Sequence, residues 1–248
     1  MAFLDAGLTS RVEGGEMSAE SSVGHVVSAS DWDDFIAVCY FGGEDKGDWL
    51  NRCIRRAYLD MSRTLHGMAV FGRPHPDWQT SMACLLKQQL RVLIETPKWT
   101  QKGFDSWHEA CVASLQQLSD RLGYVPQLGG DGSSRTRFTV GQAQKWINMS
   151  IKYAIALGER RVPGFFCAYD VAHVALDNIV LARLGEGGMP PLGCAWSRLN
   201  DYHQYIDCQQ WVRDHFPGAC SLEVEYRLWQ GDPGNPGEGR KQKEVNDG

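Results

Sequence analysis

Apolar residues recur every three to four positions through most of the central part of this chain, and that spacing predicts helices. The clearest case is FTVGQAQKWINMSIKYAIALGERRVPG, residues 138–164. Thr139 with Gln142 three positions on has the form of a capping box, and Gly158 and Pro163 supply the stop. Ala143, Trp146, Ile147, Met149, Ile151, Tyr153, Ala154, Ile155 and Leu157 cover most of the circumference, which predicts a buried helix with Trp146 and Ile147 in the core. Lys145, Asn148 and Lys152 share the remaining face at spacings of three and four. This strip reads as snorkelling lysines with a satisfied Asn148, or as lysines that line a ligand-facing groove or pair with acids there, because buried ammonium and amide groups are costly without partners.

The same period places helices at 46–67, from an Asp77 N-cap to the residue before Pro97, at 105–122 ahead of Gly123, at 168–184, and at 197–216 ahead of Pro217-Gly218. Residues 31–40 suit a short extra helix, although FIAVCYF reads equally as a strand. In SLEVEYRLW (221–229) Leu222, Val224, Tyr226 and Leu228 alternate with polar residues, which predicts a strand. The expected fold is therefore mainly α: a single helical-bundle-like domain of about six helices with a minor β element near 221–229. Residues 1–29 read as a loosely ordered segment, 30–230 as the helical domain with 124–138 as its linker candidate, and 231–248, rich in Gly, Pro and charge, as a disordered tail.

Composition narrows the function classes. The chain has 248 residues, 43% hydrophobic and 22% charged, with a net charge of −5, which disfavours a general polyanion binder. Eight cysteines occur singly and without a C-x-x-C pair, so zinc-ribbon, thioredoxin and disulfide-framework readings lack their spacing, and buried free thiols in a reducing compartment are expected. The N-terminus has no signal-peptide pattern, and no run approaches the roughly 18 apolar residues of a membrane span, so a cytoplasmic location is expected. The sequon Asn148-Met149-Ser150 then reads as accidental. No P-loop, dinucleotide fingerprint, nucleophile elbow or H-E-x-x-H is present, and no metal site or cofactor is expected.

The sharpest charge asymmetry lies on the 46–67 helix. Leu50, Cys53, Ile54, Ala57, Met61 and Leu65 form one side, and Arg52, Arg55, Arg56, Arg63 and His66 the other. Guanidinium forks suit phosphate or carboxylate oxygens, so this face is the leading candidate for binding an anionic partner, nucleic acid or acidic protein. His108-Glu109 and His173/Asp177 read as hydrogen-bonding pairs rather than metal ligands, since a site needs three or four. Trp32, Trp49, Trp78, Trp99, Trp107 and Trp196, near inferred helix starts, read as packing anchors.

Two resemblances add expectations. Arg198 and His203, in SRLNDYHQY, resemble the R-x4-H motif of helical HEPN-type ribonucleases, though Leu199 stands where those motifs carry a polar residue. That resemblance implies a metal-independent nuclease in which Arg198 binds phosphate and His203 serves the 2′-hydroxyl chemistry. GQAQKWINMSIKY is similar to segments of bacterial proteins, which implies a prokaryotic or phage origin and no particular activity. The leading expectation is a helical accessory protein binding an anionic partner. The alternatives are the HEPN-like nuclease and a purely structural protein–protein interaction module.

Overall fold

The computed structural model describes residues 27–43, 48–65, 78–122 and 138–231. Among them are eight α-helices: α1 (Ala29–Phe41), α2 (Trp49–Ser62), α3 (Trp78–Glu95), α4 (Gln101–Arg121), α5 (Val140–Leu157), α6 (Asn178–Glu186), α7 (Tyr202–His215) and α8 (Ser221–Gln230). Short 3-10 turns span Phe165–Ala168 and Trp196–Arg198. The protein is thus mainly helical, with more helices than the periodicity alone resolved.

Capping chemistry sets most of the boundaries. Thr139 and Gln142 exchange their side-chain bonds at the start of α5 (3.0 and 3.1 Å), and Gly158 ends it at φ 74°. Ser28 and Asp31 do the same for α1, which settles FIAVCYF as helix. Asp48, Thr100, Asp177 and Asp201 each accept from a first-turn N–H, so α2, α4, α6 and α7 begin there. The caps move two expected starts: α4 begins before Asp105, and α7 begins at Tyr202 rather than near Ser197.

Two expectations are corrected. Residues 221–229 are not a strand but α8, so the described residues contain no β element. The buried positions are Ser221, Leu222, Val224, Glu225 and Leu228, which is helical spacing, and Leu222, Val224 and Leu228 serve either period. What separates the two readings is Glu225, outward on a strand but fully buried here. Cys220 N–H donates to Glu223 (3.1 Å) at the helix start, and Gly231 closes the end in the left-handed region at φ 78°. The second correction is 168–184, where only Asn178–Glu186 is α-helical. Residues 172–176 have no regular secondary structure and run buried through the core instead. Asp77, Gly123 and most of the 124–138 linker, like 1–26 and 232–248, lie outside the described residues.

α5 is the central element, buried along its whole length except at Ala156, and it packs most closely on α2. Trp146 and Ile147 are completely buried. The Trp146 indole donates to the Ile54 carbonyl (2.9 Å) and lies 6.3 Å from the Trp78 ring, whose own indole donates to Ser119 (3.1 Å). At its start α5 touches the 3-10 turn at Trp196: Gly141 N–H donates to Leu199 O (2.9 Å), and a Cβ at Gly141 would sit 1.8 Å from Trp196 O. Only glycine lets these backbones approach so closely. No described helix is long and apolar enough to cross a membrane.

Candidate functional site

The polar strip of α5 is inside the protein. Lys145, Asn148 and Lys152 are 3%, 3% and 7% exposed, and they face the irregular segment 172–177 together with α7 and α8. A buried backbone without regular structure must find partners for its N–H and C=O groups, and among the described residues no strand supplies them. Side-chain amides do so instead. Gln144 donates to Leu176 O (2.8 Å) and accepts from Leu176 N (3.1 Å), and Gln209 treats Val174 in the same way at 3.0 Å each. Glu225 accepts from Ala175 N (2.9 Å), and Gln101 donates to Val171 O (3.1 Å). Lys152 pairs with Glu225 in the core, and Lys145 with Asp177 (2.6 Å), whose other oxygen caps α6. Both lysines of the strip are therefore paired with acids, and the strip faces residues 172–177 of the same chain. Asn148 of the sequon is equally inaccessible.

Beside this clamp runs a chain of titratable groups. Asp105 accepts from His173 Nε2 (2.7 Å), which fixes the neutral tautomer, so His173 Nδ1 accepts from the Tyr205 hydroxyl (2.8 Å). Asn148 donates to the same hydroxyl oxygen (2.8 Å). Tyr202 donates to the Asp105 carbonyl (3.2 Å), leaving its oxygen to accept from His108 Nδ1 (2.9 Å). Burial pushes both histidines below the usual imidazole range and Tyr205 above the usual phenol range. Desolvation would raise Asp105 as well, but the bonds from His173 and Gln101 and the nearby Arg213 outweigh it and hold the carboxylate ionised. An Asp–His–Tyr order is the order of a relay, yet His108 and Tyr205 are fully buried and no substrate atom can reach them. The chain acts as a buried polar network, in which Asn148 Oδ1 and one Arg213 Nη have no hydrogen-bond partner among the described residues.

The fold divides the arginine face of α2. Arg55 and Arg63 are exposed, and His66 lies outside the described residues. Arg52, expected on the wet side, is 5% exposed and stacked on Trp49 (4.2 Å to the ring centre). Trp49, one turn earlier, offers its ring face to the planar guanidinium. Arg56 stacks on Tyr40 of α1 (4.5 Å) and pairs with Asp60 (3.2 Å), to which Tyr153 also donates (2.5 Å).

The turn after α5 brings two further arginines to the same place. Arg161 approaches the Trp49 ring (5.5 Å), and together Arg160 and Arg161 hold Asp33 and Asp34 of α1. Their bonds to Asp34 are 2.5 Å each, and they keep its carboxyl below its usual range. Among the described residues, the buried Nε atoms of Arg56 and Arg161 have no acceptor. Arg52 and Arg161 thus share the Trp49 ring, Arg160 and Arg161 hold Asp33 and Asp34, and Arg56 with Tyr40 makes a further contact between α2 and α1. The sequence contains the adjacent pairs Asp33-Asp34 and Arg160-Arg161, but nothing in it joins groups 127 positions apart.

Arg198 and His203 are both exposed, and no hydrogen bond joins them. Arg198 ends a 3-10 turn and His203 sits in the first turn of α7, with its N–H on the Asp201 cap. His108-Glu109 and His173/Asp177 do not act as pairs: His108 and His173 instead face each other, with ring centres 4.8 Å apart. Among the described residues no three His, Cys, Asp or Glu side chains converge as metal ligands would. No protein family, curated protein or solved structure matches this chain.

Proposed function

We propose that this protein is a helical binding protein that takes an acidic segment of a partner protein at the arginine cluster of Arg52, Arg56, Arg160 and Arg161. The observation that carries this reading is the grip of Arg160 and Arg161 on Asp33 and Asp34, since the cluster already holds adjacent carboxylates presented by a helix. The Asp33 and Asp34 side chains are 62% and 49% exposed and Arg160 is 56% exposed, so the Arg160 pairs are screened, while Arg161 is 7% exposed. A partner carboxylate would replace them, while Trp49 and Tyr40 keep the guanidiniums of Arg52 and Arg56 in place. The groups that Arg160 and Arg161 already hold are carboxylates, which favours an acidic peptide over nucleic acid.

The test is binding of a labelled oligoglutamate peptide to the full chain at several salt concentrations, with a single-stranded oligonucleotide as the second arm. Asp33→Asn with Asp34→Asn should tighten peptide binding, because the internal competitor is lost. Arg160→Gln with Arg161→Gln should weaken it by about tenfold or more, as expected when charge-assisted bonds are removed. Peptide binding indifferent to both pairs would refute the proposal, and stronger binding of the oligonucleotide would move it to nucleic acid.

A further inference from the structure

The two halves of α1 are held to the body by different means. The C-terminal half is packed: Ala37 is buried, the Phe41 and Tyr40 ring centres lie 5.3 and 5.8 Å from that of Tyr153, and Tyr40 donates to the Tyr153 hydroxyl (3.0 Å). The first two turns, residues 29–36, contain no buried residue. Among the described residues, what attaches them is charge, through Asp33 and Asp34 on Arg160 and Arg161. The Ser28–Asp31 capping box bonds only within the helix start. A helix of 13 residues is marginal in water without docking, and the least buried part of a fold opens first.

The acids of α1 fit these arginines imperfectly. Arg161 is 7% exposed, yet it meets both carboxylates through Nη2 alone (2.7 and 2.5 Å). Its Nε is buried with no acceptor among the described residues. The strong form of this contact is a pair of parallel N–H bonds from one guanidinium edge to one carboxylate. A carboxylate taking the place of Asp33 and free to lie along the Nε–Nη2 edge would make that pair and satisfy the Nε. Asp33 and Asp34, fixed on a helix, do not. α1 is therefore a weaker ligand for Arg161 than an acidic segment from outside, and it holds the place through its covalent tether, which gives it a high effective concentration.

We infer that the first two turns of α1 are a built-in stand-in for the partner's acidic segment: docked, they cover Arg161, and they unwind from the arginines when the partner's carboxylates bind, while Tyr40 and Phe41 stay anchored. This rests on the reading of the arginines as the binding site and adds the regulation of that site. The test is hydrogen exchange of the full chain followed by mass spectrometry, with circular dichroism to check folding. Saturating oligoglutamate should speed exchange in residues 29–36 by about fivefold or more, the change that losing ion pairs of this exposure predicts, and leave α5 unaltered. Without peptide, Asp33→Asn with Asp34→Asn should speed the same residues, and so should Arg160→Gln with Arg161→Gln. The arginine pair leaves the sequence of α1 untouched, so it separates release from a change in helix propensity. Peptide bound with 29–36 still protected would overturn the strap and leave the arginine site standing. No peptide bound, with 29–36 released by both variants, would overturn the arginine site and its regulation together. Equal exchange in wild type and both variants would overturn the strap, because the acids would not be what holds it.

Discussion

Gln144 holds Leu176 by both of its backbone groups, donating to the carbonyl at 2.8 Å and accepting from the N–H at 3.1 Å, as a neighbouring strand would. One amide side chain therefore does the work of a β-ladder partner for a segment that crosses the core without a sheet. Gln144→Met keeps the length and the apolar contacts but leaves a buried N–H and a buried C=O unsatisfied. Each orphan costs roughly 1–3 kcal/mol, so a loss of about 2–5 kcal/mol is expected in urea unfolding. A loss under about 1 kcal/mol would mean that the segment finds other partners.

Trp146→Ala should cost about 3–5 kcal/mol through the cavity it leaves between α2, α3 and α5. Trp146 is fully buried, and its removal also strands the Ile54 carbonyl. Thermal melting reads this directly, and a variant melting within a few degrees of wild type would contradict the packing described.

Gly141→Ala, the mildest substitution chemically, should be among the most damaging. Its methyl would sit 1.8 Å from the Trp196 carbonyl oxygen, a backbone atom that cannot rotate aside. Moving the turn would break the Gly141 N–H bond to Leu199 and loosen the start of α5. The expected cost is at the overpacking level, about 1–3 kcal/mol or more. Gly193→Ala, with open space around it, is the control and should be neutral.

Acid should destabilise the protein through His108 and His173. Burial lowers both below their unfolded value near 6.5, so the unfolded chain binds more protons than the native one as pH falls through that value. Their contribution is present above about pH 6.5 and is lost below it, at up to about 1.4 kcal/mol per pH unit for each histidine. Urea unfolding at pH 7.5 and 5.5 should show the fall. His108→Gln should flatten it by removing one of the two protons, and an unchanged free energy across that interval in wild type would count against neutral buried histidines.

The helical class was legible in the sequence because it rests on local physics. Thr139 and Gln142 bond to backbone atoms three residues away, and Gly158 ends the same helix through its own freedom at positive φ. The burial of Trp146 and Ile147 followed from apolar residues around most of one helix. Period alone misled at 221–229, since Leu222, Val224 and Leu228 suit both a strand and a helix, and Glu225 finds Lys152 only in three dimensions. It misled again at 168–184, where the irregular segment 172–177 is held by Gln144, Gln209 and Glu225 from three other helices. The polar strip could be seen, but its purpose could not, because side-chain amides replace a strand only when a particular backbone is laid across them. The arginines show the same limit: charge and spacing put Arg52 on the wet side, and in the fold it is buried against the ring of Trp49. Caps and periodic faces act within a turn or two of chain, so the sequence determines them; the partners of its buried polar and charged groups come from distant segments, and only the tertiary structure chooses them.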